Sequence, residues 1–185
     1  MEERERTLAL EQLAASREKL LGLVEGLSVE QWAFQPAEGS WSINECLEHV
    51  TRVEQRILGI ITTKVAGGAP EPAKPEVRAK DEVVRKVVLD RSTKRQAPEP
   101  ARPTGTWTDS QLLEEFAGTR RRTIDFASTT DSDLRGYFSP HMALGELDCY
   151  QWLLLLGVHG MRHAEQIEEV KASPTFPGKS QATQA

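Results

Sequence analysis

The sequence predicts an all-α protein, a four-helix bundle with a long crossover between its second and third helices. Three observations carry that expectation. Apolar residues recur at three-to-four spacing in four long stretches. Four helix starts carry the capping-box signature, a Ser, Thr or Asp followed three residues later by Gln or Glu. They are Ser28 with Gln31, Ser42 with Glu45, Thr108 with Gln111, and Asp148 with Gln151. No strand-like alternation of any length interrupts them.

The first helix is expected over residues 4–26. Leu10, Leu13, Leu20, Val24 and Leu27 form its stripe, with one turn skipped at Arg17. Ser28 opens a short helical turn that ends before Pro36, and residues 37–40 form a loop. The second long helix is expected over residues 43–65, with Ile43, Leu47, Val50, Ile57 and Ile61 as its stripe and Gly67-Gly68 as its stop.

Residues 66–106 hold six of the ten prolines and read as the crossover, broken by a short helix near residues 81–89. So long a connection in a compact domain is often functional, and it can cover one end of a bundle and shape a pocket. The third long helix follows Thr108 and runs to about Ser128, offering Leu112, Leu113, Phe116, Ile124 and Phe126 to a core. A loop is expected over residues 129–147. The fourth helix follows Asp148 and ends near Ala172, before Pro174. Residues 1–172 read as one domain and residues 173–185 as a disordered tail.

Composition excludes several classes. Hydrophobic residues make up 38% and charged residues 28%, as in soluble globular proteins. The net charge of −5 argues against nucleic acid as a partner, and Arg120-Arg121-Arg122 reads as one solvated helix face. No apolar run reaches the roughly 18 residues of a membrane span, and the charged residues Glu2 to Arg6 lead into no signal-peptide core, so the cytoplasm is the expected location. Cys46 and Cys149 read as small buried hydrophobes, with Cys46 one turn from His49.

The chemistry lies in the histidines. His159 and His163 stand four residues apart on the most apolar helical stretch, along a line with Trp152, Leu155 and Gln166. An imidazole on an apolar face needs a partner, and a divalent ion is one. His49 follows Trp41-Ser42-Ile43-Asn44-Glu45-Cys46-Leu47-Glu48 at the edge of the second helix's stripe. Two ligands from one helix and one from another would leave coordination positions open, which suits a water or substrate. Gly160 replaces the Glu of the H-E-x-x-H protease motif, so that chemistry is not expected. The competing reading is a set of histidines satisfied by hydrogen bonds. His141 is expected in a loop, at most on a pocket rim. Glu45 is expected to cap its helix, and Arg162 to lie on the surface or at a dimer contact.

The segment Trp41 to His49 resembles the W-S-x-x-E-x-L-x-H motif of the DinB-like superfamily, the DNA-damage-inducible and YfiT-type metal-dependent hydrolases. The stretch from His141 to Asp148, then Gln151-Trp152 and His159 to Ile167, is similar to that family's last helix, including its H-x3-H-x2-Q-I ending. The resemblance implies a four-helix bundle holding a divalent metal, nickel or zinc, on His49, His159 and His163. It implies a small-molecule substrate, a low-molecular-weight thiol among the options, and a homodimer. It leaves open a metal-dependent hydrolase, a thiol-dependent S-transferase, or a non-catalytic metal or small-ligand binding stress protein.

Overall fold

A computed structural model describes residues 1–92 and 96–178. In chain order the helices are α1 (Glu3–Val24), α2 (Val29–Ala33), α3 (Ile43–Ala66), α4 (Pro75–Arg78), α5 (Asp81–Leu89), α6 (Asp109–Thr129) and α7 (Cys149–Ala172). Two strands, β1 (Phe138–His141) and β2 (Gly145–Asp148), form an antiparallel hairpin, with Phe138 opposite Asp148 and His141 opposite Gly145. The fold is mostly helical. Each of α1 and α3 packs against both α6 and α7, and α5 lies along α7. No helix among the described residues is long and apolar enough to cross a membrane.

All four capping boxes form as the spacing predicts. Ser28, Ser42, Thr108 and Asp148 each accept the backbone N–H three residues on, and the Gln or Glu there reaches back to the cap. Glu45 therefore caps α3, taking the Ser42 N–H at 2.8 Å. Asp148 starts α7 where β2 ends, so one residue closes the hairpin and opens the helix.

The hairpin corrects the all-α expectation. Its strands are four residues each, too short to show alternation, and the loop between them turns on Gly145, whose φ of 70° favours glycine. A 3-10 turn, Leu134–Gly136, precedes it. Within the crossover, α5 lies where the short helix was expected, with α4 before it and a 3-10 turn, Glu99–Ala101, after it.

The interior has two apolar clusters. One gathers Leu13, Ile57, Ile61, Leu153 and Leu156; the other gathers Leu20, Leu47, Val50, Phe116 and Ile167. Between them in sequence, each long helix supplies a polar or small residue: Ser16, Glu54, Arg120 and Gly160. Arg120 is 0% exposed and Glu54 1%, and the guanidinium binds both carboxylate oxygens, with Nε to Oε1 at 2.8 Å and Nη2 to Oε2 at 2.8 Å. Its Nη1 donates to Ser16 Oγ at 2.6 Å and to the Leu13 carbonyl at 2.7 Å. The reading of Arg120 as part of a solvated face is thus corrected; Arg121 and Arg122 are exposed, but Arg120 turns inward to a partner 66 residues away. The turn skipped in the α1 stripe belongs to Ser16, and Leu10 and Leu27 are only half-buried. Gly160 lets α1 close in, since a Cβ there would sit 3.0 Å from Ser16 Cβ.

A second charged cluster anchors the crossover. Arg135 donates to Glu5, Asp81 and Asp148 at 2.7–3.0 Å and lies over the Tyr150 ring. It joins α1, α5 and α7 at one point, and the three carboxylates push its pKa further up against its burial. The segment expected to begin the tail, residues 173–178, packs back on the body. Phe176 is buried edge-on against Phe34, and the Pro177 carbonyl accepts from Gln31 at 3.0 Å. The rest of that segment, residues 179–185, lies outside the described residues.

Candidate metal centre

α3 and α7 bring His49, His159 and His163 together. Each offers one ring nitrogen, and these nitrogens all lie within 4.8 Å of one another. His49 Nε2 and His159 Nε2 are 3.2 Å apart. His49 and His163 are buried, while His159 is partly open to a cavity.

The neighbours fix which nitrogens face inward. His49 Nδ1 lies 2.6 Å from the Ala101 carbonyl, which can only accept, so the proton sits on Nδ1 and Nε2 presents a bare lone pair. His163 Nδ1 lies 2.9 Å from Gln166 Oε1, and the same logic leaves its Nε2 free. Burial holds the pKa of all three below that of a free imidazole. For His159 and His163 the neighbouring imidazoles add to that depression. Neutral imidazoles with lone pairs converging on one space are the donor set of a divalent transition metal. The residues present therefore fit such an ion.

Glu48, beside His49 in sequence, holds the loop that carries Ala101. Its Oε1 accepts the Thr104 N–H at 3.0 Å and Oε2 the Gly105 N–H at 2.9 Å, while Arg52 Nε binds Oε1 at 2.8 Å. Burial raises its pKa, but the bonds from Thr104, Arg52 and Gly105 outweigh burial and leave it below the usual carboxylate range. Trp41 covers the other side, its ring 4.9 Å from His49 and 6.1 Å from His163 between centroids.

The triad lines a cavity of about 1520 Å³. Its walls come from α3, α7, α5, the loop around Pro98–Pro103 and the hairpin tip. The crossover thus shapes a pocket. Arg162, expected at the surface or a dimer contact, is half-buried and donates to the carbonyls of Val88 at 3.1 Å and Asp90 at 2.5 Å, tying the crossover to α7. His141 ends β1 on the cavity rim, its Nδ1 accepting the N–H groups of Ala143 and Leu144 at 3.1 Å, and it is not part of the triad. Cys46 is fully buried in the core, its thiol pKa pushed up by burial, and does not line the cavity. Cys149 is likewise buried, pushed up to about 12.

Sequence reasoning missed three contributors. Ala101 acts through its carbonyl, which no side-chain pattern announces. Glu48 acts through bonds that reach 56 and 57 residues along the chain, which its place beside His49 does not announce. Arg56 lines the same cavity, and its place seven residues after His49 on one helix was a signal that could have found it.

The chain is 29% identical over 150 residues to an uncharacterized protein, YuaE, of Bacillus subtilis (strain 168), covering 80% of this chain and 88% of that one. The family model of the DinB superfamily matches residues 12–167, a span that holds all three histidines, Glu48 and the two charged clusters' arginines. On that match, this chain belongs to the DinB superfamily.

Proposed function

We propose that this protein is a metal-dependent enzyme built on a four-helix bundle, with His49, His159 and His163 as the ligands of a divalent ion, nickel or zinc. Its activity is that of a hydrolase or of a low-molecular-weight-thiol-dependent S-transferase. One observation carries the reading: two imidazole Nε2 atoms meet at 3.2 Å while the Nδ1 of one already donates to a carbonyl. That spacing is also what two imidazole ligands of one ion at about 2.0–2.1 Å from each would have, and His163 brings a third ring nitrogen within 4.8 Å of both.

A divalent ion in this place supplies Lewis acidity, lowering the pKa of a water or thiol so that it is a nucleophile near neutral pH. The protein's own groups prepare the rest. Ala101 and Gln166 orient His49 and His163, and burial keeps all three imidazoles neutral and able to bind. Trp41 shields one side from water, and the cavity admits a small molecule to the other. His159, the most open of the three, faces the incoming substrate.

The test has two stages. Elemental analysis of the purified protein is expected to give one divalent ion per chain, lost in the triple His→Ala variant. Absence of stoichiometric metal under any loading overturns the proposal. The loaded protein is then assayed on hydrolytic and thiol-transfer substrates, with and without low-molecular-weight thiols. Turnover that vanishes in His159→Ala supports an enzyme. Binding without turnover across both panels reduces the protein to a non-catalytic metal or ligand carrier.

A further inference from the structure

The cavity is asymmetric along α3. His49, Val53 and Arg56 line it from successive turns, and seven residues of helix separate the first from the last. That places Arg56 about 10 Å from His49 along the axis. Alongside them the walls are apolar: Val53 and Ile57 on α3 and Trp152 and Leu155 on α7 all line the cavity.

Arg56 is exposed, and among the described residues none hydrogen-bonds or ion-pairs with it. The other charged groups on the lining are engaged. Glu45 accepts from Ser42 and Gln35, and Glu169 pairs with Arg91. Arg91 also donates to the Arg162 carbonyl, Arg162 binds the crossover, and Arg102 donates to Ala97. Four arginines and two carboxylates line the cavity, so its field is positive before any metal is added.

From this, and resting on the metal reading above, we propose the substrate class: an elongated molecule with an apolar body and a terminal carboxylate. Its reacting end lies at the three histidines. Its body of about eight carbons spans Val53, Ile57, Trp152 and Leu155. Its carboxylate meets the Arg56 guanidinium, whose planar fork matches two oxygens. A neutral-ended molecule of the same length would lose that contact, and a short acid would not reach it.

The experiment uses the full chain loaded with Co(II), whose absorption spectrum reports thiol ligation. The probes are 8-mercaptooctanoate, 8-mercaptooctan-1-ol and 3-mercaptopropionate. The octanoate is expected to bind about tenfold more tightly than either of the others. Arg56→Gln, an exposed substitution that leaves the histidines in place, is expected to erase the advantage over the alcohol without changing the alcohol's own affinity. Equal binding of the two long probes, or an advantage that survives in Arg56→Gln, overturns the substrate class while leaving the metal site standing. Failure of Co(II) to bind overturns the metal reading instead. In that event octanoate and octanol are titrated into the metal-free protein by the fluorescence of Trp41 and Trp152, and the Arg56 dependence is read there with the same two outcomes.

Discussion

Glu48 grips Gly105 by its backbone N–H at 2.9 Å, and that grip sets the position of the carbonyl to which the next residue, His49, donates. The loop from Ala101 to Gly105 is therefore held at both ends by consecutive residues of α3. A side chain outside the triad thus fixes the tautomer of one within it.

Glu48→Ala is accordingly expected to weaken metal affinity about 10- to 100-fold, the usual cost of losing an outer support of a ligand. Glu48→Gln keeps an acceptor for one N–H and should fall between the two. Competition titration against a chelator gives the values. Affinity unchanged in Glu48→Ala would mean the loop stands without it.

The pair Glu54–Arg120 should behave as a buried ion pair does. Glu54→Ala leaves a guanidinium with no counter-charge at 0% exposure and is expected to cost about 3–5 kcal/mol. Replacing both, Glu54→Leu with Arg120→Met, should recover most of that loss. Urea denaturation of the parent protein and the two variants measures it; a double variant as unstable as the single one would contradict the account.

Acid should destabilise the metal-free protein. Burial lowers the pKa of His49, His159 and His163 from 6.5, so below that value the unfolded chain binds protons that the folded chain refuses. That stability is fully present well above pH 6.5 and is lost as pH falls through that value. The denaturation midpoint of the metal-free protein is expected to drop between about pH 7.5 and about pH 5.5. A triple His→Leu variant should flatten that part of the profile, and an unchanged slope would assign it to other groups.

Gly157 marks where α7 meets α1. A Cβ there would lie 2.8 Å from Gln12 Cβ and 3.2 Å from the Gln12 carbonyl carbon. Gly157→Ala must push the helices apart, and a loss of about 1–3 kcal/mol is expected despite alanine's better helix propensity. Thermal unfolding tests the sign: a stabilised variant would show that the interface yields freely.

The helices were legible because their signals are local. Ser42 and Glu45, or Asp148 and Gln151, need only each other to cap a helix, and His159 and His163 need only helical spacing to share a face. What escaped depended on distant partners. Arg120 looks like its neighbours Arg121 and Arg122 until Glu54 arrives from another helix. The hairpin escaped because Phe138-Ser139-Pro140-His141 is too short for periodicity and carries a proline. His49 was readable as a ligand candidate, but the carbonyl that orients it was not, since every residue has one.

The polar residues between the two apolar clusters have a geometric consequence. Apolar stripes alone tolerate a helix sliding by one turn, since leucine meets leucine in either alignment. Arg120 does not, because it must find Glu54, Ser16 and the Leu13 carbonyl together. The layer works as a key that admits one alignment of α1, α3 and α6, with Gly160 leaving room for it on α7. His49 stands five residues before Glu54, and His159 one residue before Gly160. The spacing of the imidazoles is thus gauged by a lock whose own side chains, Ser16, Glu54 and Arg120, stand outside the cavity lining.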